Sequence, residues 1–122
     1  PVPRLSVRVG GACRVRLVII ESPYAGDIER NLRYLRACMA DCIKRGEAPF
    51  ASHGLYTQPG VLDDTIPAER TRGIESGLAW GRKADATVVY EDFGITPGMG
   101  LGIDRALSEC RPVEFRTIGG EW

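Results

Sequence analysis

The chain has 122 residues, enough for one domain with a single core, and 43% of them are hydrophobic, an ordinary share for a soluble protein. Sixteen Lys and Arg balance sixteen Asp and Glu, so charge gives no reason to expect a nucleic acid or a membrane surface as partner. No apolar stretch approaches the roughly 20 residues that span a bilayer, and the N-terminal residues hold no long apolar h-region, so a cytoplasmic protein is expected.

Residues 1–14, "PVPRLSVRVGGACR", read as a lead-in, either flexible or a short edge strand on Leu5, Val7 and Val9. From Val15 the apolar run "VRLVII" predicts a strand covered on both faces, ending at Glu21. The turn "SPYAGD" follows, with Asp27 as N-cap of a long helix whose apolar positions are 28, 32, 35, 38, 39, 42 and 43, closed by Gly46. Cys38 and Cys42 fall in that stripe and read as small core hydrophobes. With one histidine and no C-x-x-C pair, neither a metal site nor a cofactor is expected.

"APFAS" reads as a short second strand, and "HGLYTQPGVLDDTI" has no period and reads as a long surface loop. Pro67 is suited to the first position of a second helix, "PAERTRGIESGLAWGRKA". "DATVVYE" is a third buried strand and "PGMGLGIDRALSEC" a third helix with Met99, Ile103, Ala106, Leu107 and Cys110 inward. "PVEFRTI" is a last strand, and residues 119–122 are expected to form a loose tail. The alternation predicts an α/β domain over 15–118. It is a three-layer, Rossmann- or flavodoxin-like parallel sheet of four to five strands with helices on both faces.

In such sheets ligands bind beyond the carboxyl ends of the strands. The first of the loops expected there is "SPYAGD", where Ser22 offers a hydroxyl, Tyr24 a stacking face and Gly26 close backbone approach beside a helix N-terminus. A plain strand-to-helix turn capped by Asp27 explains it equally well. In "SHGLYTQ", His53 is either a general base or a hydrogen-bonding loop residue. Tyr56 and Gln58 suit a planar base, although Tyr56 equally suits packing the loop down. In "EDFGITPGMG", Glu91 and Asp92 leave the strand on opposite sides, as candidate acids or as solvated or ion-paired side chains. Thr96 caps the third helix, and Gly98, Met99 and Gly102 in its first turns are ligand-side candidates. Glycines cost about 1 kcal/mol each relative to alanine inside a helix, which predicts close approach to a ligand or to a neighbouring element.

These stretches together resemble the nucleoside 2-deoxyribosyltransferase-like superfamily, and within it a branch of small bacterial and phage proteins. The resemblance runs from about Val15 to Ile118 and is carried by "VIIESPYAGD", "ASHGLYTQPGVLDD", "ERTRGIESGLAWGRKADATVVYEDFGITPGM" and "GIDRALSECRPVEFR". It implies a nucleoside or nucleotide as ligand and a homodimer or larger homo-oligomer. It also implies chemistry at the N-glycosidic bond, in which a glutamate on the helix after the third strand attacks the anomeric carbon and an upstream acid assists. Registering on Ala106, Pro112 and Val113 brings Gly102 to the nucleophile's position, and glycine has no side chain to form a covalent intermediate. Asp104, two residues on, is turned roughly 200° around the helix. Asp92 matches the upstream acid, with Glu91 as its neighbour, so a hydrolase that activates water with one acid remains open. The alternatives are a binding protein that senses or sequesters a nucleotide or nucleotide-derived signal, and an assembly protein. Trp80 lies off its helix's inward stripe beside Gly77 and Gly81, where it meets a partner helix or covers the domain edge.

Overall fold

A computed structural model describes residues 15–120 and 122; the lead-in over residues 1–14 lies outside the described residues. The elements follow the expected alternation: β1 (Arg16–Glu21), α1 (Ile28–Lys44), β2 (Glu47–Phe50), α2 (Ser52–Leu55), α3 (Pro67–Gly81), β3 (Ala86–Tyr90), α4 (Pro97–Ser108) and β4 (Val113–Arg116). The four strands of the described residues are all parallel, in the order β2-β1-β3-β4. The chain reverses its direction of travel across the sheet between β1 and β3, which makes a crevice at their carboxyl ends. Among the described residues no helix is long and apolar enough to cross a membrane.

The helix ends follow their capping chemistry. Asp27 accepts a hydrogen bond from the Arg30 N–H, and Gly46 leaves α1 at φ +81°. Thr96 Oγ1 accepts from the Met99 N–H, and Pro97 opens α4.

Along β1 and β3 alternate residues face opposite helix layers. Val18, Ile20, Ala86, Val88 and Tyr90 form the core with Tyr34, Leu35, Cys38 and Cys42 of α1. Each large apolar side chain buried this way stabilises the fold by about 1.5–3 kcal/mol. The helix α4 packs over β3 and β1 on the other side, with Met99 and Ala106 buried. Cys38 and Cys42 are buried free thiols, as their stripe implied.

The inward faces differ from the periodic reading in detail. On α1 the buried set is Asn31, Tyr34, Leu35, Cys38 and Cys42, while Ile28, Met39 and Ile43 are exposed. Asn31 is drawn in because its amide donates to the carbonyls of Tyr24 and Ala25. Leu107 and Cys110 at the far end of α4 are exposed, not inward. The start of the expected loop is instead the short helix α2, in which the Ala51 carbonyl accepts from both Gly54 and Leu55.

On the α1 face, Arg116 donates to Glu47 at 2.8 Å and Glu114 at 2.9 Å, and to the Tyr90 hydroxyl, which donates to Asp41. Arg16 closes the set on Glu47 and Glu114. The two guanidiniums hold the Glu114 carboxyl down to about 2.

Within the expected loose tail, Gly119 and Trp122 make contacts with the domain. Asp92 accepts from the backbone N–H groups of Ile118 and Gly119 and from the Tyr34 hydroxyl at 2.5 Å. The Trp122 ring packs against Tyr34 and Phe93, and the Arg30 guanidinium lies 4.0 Å over Phe93.

Candidate functional site

A cavity of about 810 Å³ opens at the carboxyl end of β1, between α2, α3 and α4. It exists because small residues bring the helices together at their bases. A Cβ on Gly77 of α3 would stand 2.6 Å from the Cβ of Ser52, so α2 and α3 meet backbone to side chain. A Cβ on Gly54 would stand 2.5 Å from Leu35 Cδ2, which seats α2 on α1.

Ile19 and Glu21 point into the cavity from β1. Both leave the strand on the side opposite Val18 and Ile20. Glu21 forms no side-chain hydrogen bond among the described residues; removal from water pushes its carboxyl up to about 8, against a weaker opposing pull from Arg111. Arg111 is itself buried, donating to Thr87 Oγ1, the Gly81 carbonyl and Glu109.

The closest packing in the cavity lies between Glu21 and α4. A Cβ built on Gly102 would fall 1.9 Å from Glu21 Oε2 and 2.2 Å from its Cδ. A side chain at 102 would therefore require this carboxylate to move. Gly98 and Gly100 have no such constraint: the nearest atom to a Cβ at 98 is 3.9 Å away, and none lies within 4 Å at 100.

Ser22 Oγ lies 2.7 Å from His53 Nε2, joining the end of β1 to α2. Burial brings the imidazole down to about 4, so at neutral pH it is uncharged, with one nitrogen a donor and the other an acceptor. Thr57 Oγ1 donates to the His53 carbonyl and steadies the turn. Tyr56 accepts from Trp80 Nε1 at 2.9 Å, and the Trp80 ring packs on Phe50. Trp80 thus covers the edge of the domain, although it stays 57% exposed.

Of the residues singled out in the sequence, Ser22, Tyr24, His53, Tyr56, Thr96, Gly98, Met99 and Gly102 line this one cavity. Gly26, Gln58, Glu91 and Asp92 do not. Gly26 serves backbone conformation, at φ +99°, with no atom near a Cβ. Gln58 donates to the Leu55 carbonyl. Asp92 faces the chain's end, where its hydrogen bonds hold its carboxyl below the usual range. Glu21, absent from the sequence-based candidates, is a half-buried carboxylate on the floor of the cavity. Asp104, expected to face solvent, is exposed and also lines the cavity rim, with Arg70 and Arg105.

A comparison with curated proteins found no match. Among solved structures, a 2-deoxyribosyltransferase from the psychrotolerant bacterium Bacillus psychrosaccharolyticus is similar at a TM-score of 0.60. The similarity covers 87% of this chain and 75% of that chain at 17% identity, and the two share the α/β fold. Residues 16–116 match the model of a family described as a domain of unknown function, DUF7768. The match takes in every strand and helix among the described residues and the whole cavity lining, and the chain belongs to the DUF7768 family.

Proposed function

We propose that the protein binds nucleosides or nucleotides and acts at their N-glycosidic bond, by hydrolysis or transfer. The observation that carries this reading is an acid-floored cavity at the sheet's switch point, large enough for a nucleotide. Tyr24 and Tyr56 offer faces for a base, the Ser22–His53 pair offers polar atoms for sugar hydroxyls, and Arg70 and Arg105 offer charge for a phosphate. The shared fold with a 2-deoxyribosyltransferase agrees with the reading.

Gly102 favours a second reading, in which the protein binds a nucleotide or nucleotide-derived signal without cleaving it. A panel of nucleosides, deoxynucleosides and their monophosphates, analysed for free base by chromatography, separates the two. Base released from one of them supports the enzyme. Tight binding in a thermal-shift screen with no base released supports the binder. Neither result from any compound removes both.

Self-association belongs to the same reading. Trp80, Leu101 and Leu107 remain exposed on α3 and α4 and suit a second copy of the chain. Sedimentation showing a dimer or larger assembly is expected, and a monomer at micromolar concentration would remove it.

A further inference from the structure

The acid at the end of β1 and the glycine on α4 are two sides of one contact. The family resemblance brings the nucleophile's position to residue 102, and that residue is glycine. The side chain pressed against the backbone there is a carboxylate from another element. Glu21 Oε2, Cδ and Oε1 would all lie within 2.7 Å of a Cβ at 102. They therefore fill the root of the space that a longer side chain at 102 would occupy. Glycine at 102 leaves room for the Glu21 carboxylate as it lies, and a side chain on α4 at that position would require the carboxylate to swing aside.

We propose that Glu21 is the nucleophile of this site, its carboxylate supplied from the strand where the family's pattern has one on the helix. The proposal rests on the N-glycosidic reading above. Glu21 is free for the task, since it makes no side-chain hydrogen bond among the described residues and faces the cavity. Arg111, held in place by Thr87 and Gly81, pulls toward the ionised form that attack requires but is outweighed by removal from water, so base release is expected to rise with pH toward about 8. Asp92, by contrast, has its carboxylate occupied by two backbone N–H groups and the Tyr34 hydroxyl.

In the first step a Glu21 oxygen forms a bond to C1′ of the sugar as the C1′–N bond breaks. The bonding pair leaves with the base, which takes a proton from water. In the second step water attacks C1′ and gives its proton to the hydroxide left by the first, the ester bond breaks, and its electron pair returns to the Glu21 carboxylate. One water is consumed overall, and the products are free base and free sugar. An alcohol or a second base in place of that water gives transfer instead. Two displacements at one carbon retain its configuration.

The test uses the whole chain, the panel of nucleosides and monophosphates, and the variants Glu21→Gln, Glu21→Ser and the exchange Glu21→Ser with Gly102→Glu. With Glu21→Gln folded by circular dichroism, base release is expected to fall about 10³-fold or more. The exchange variant is expected to recover at least about tenfold over Glu21→Ser, because it returns a carboxylate to the cavity from α4. Methanol added to the wild type is expected to give a methyl glycoside with the substrate's anomeric configuration.

Base release that survives Glu21→Gln overturns the assignment and leaves the N-glycosidic reading standing. An inverted methyl glycoside overturns the covalent role, and a folded exchange variant no better than Glu21→Ser overturns the shared position. No base from the wild type with any compound overturns the reading and the assignment together. Should Glu21→Gln not fold, Glu21→Asp, which withdraws the carboxylate by one methylene, takes its place with the same expected direction.

Discussion

Glu21→Gln should make the protein more stable, and increasingly so as the pH rises. The carboxyl stands near 8 in the folded chain against an ordinary 4.5. Between those two values the folded state keeps a proton that the unfolded state has released, so the unfolded state binds fewer protons and stability falls as pH rises. The loss is complete once the pH exceeds the folded value and absent below the unfolded one. Raising the carboxyl from 4.5 to about 8 corresponds to about 5 kcal/mol between its two forms. Water entering the open cavity screens part of this, and about 2–3 kcal/mol is the expected net effect. Glutamine keeps the shape and removes the titration. Urea unfolding of both proteins should give nearly equal stabilities at about pH 4.5 and a gap of about 2–3 kcal/mol in favour of the variant at about pH 9. In a domain of this size such a gap raises the melting temperature by roughly 10 °C or more. A difference independent of pH, or a variant less stable at the alkaline end, would refute the claim that the cavity desolvates this carboxyl.

Four other outcomes follow from the same geometry. The single histidine of the chain makes NMR assignment direct, and His53 should stay neutral from about pH 7 down to about pH 5; its folded value lies below the unfolded one, so stability should fall as pH drops from 6.5 toward about 4. Arg116→Met leaves the buried Glu47 without its principal partner and should cost about 3–5 kcal/mol in urea unfolding, with much of it restored when Glu47→Met is added. Asp92→Asn should cost about 1–2 kcal/mol and raise amide exchange at Ile118 and Gly119, leaving any base release near the wild-type rate. Gly77→Ala drives a Cβ into Ser52 and should destabilise by about 1–3 kcal/mol, whereas Gly100→Ala enters open space within a helix and should stabilise by up to about 1 kcal/mol.

The order of strands and helices was legible because β3 is buried on both faces and β1 carries an apolar run, although the second face of β1, with Leu17 exposed and Ile19 and Glu21 half-buried at the cavity, is not covered as expected. The boundaries were marked by chemistry confined to a few residues: the Asp27 and Thr96 side chains, Pro67 and Pro97, and Gly46. What escaped has physical causes of other kinds. The four-residue α2 is shorter than the repeat that would reveal it. The buried face of α1 is rotated because Asn31 and Tyr34 are pulled in by hydrogen bonds to the β1–α1 turn and to Asp92, partners distant from the helix's own pattern. Ile28 and Leu107 are exposed near the starting end of α1 and the closing end of α4. Periodicity records what a helix offers, and the extent of the neighbouring surface decides what is covered.

The glycines of α4 show where local reading stops. Three of them in one helix demanded a close approach, yet only Gly102 makes one, and its neighbour is a side chain eighty-one positions earlier in the chain. Glu21 in isolation is an acid that ends a strand, and Gly102 in isolation is a weak helix residue. Each makes sense only through the other, since the carboxylate needs a helix without a Cβ at that point and the missing Cβ needs something to fill its place. Their meeting at one point of the cavity argues that the pair is a single feature, a carboxylate from the strand seated where the helix carries no side chain.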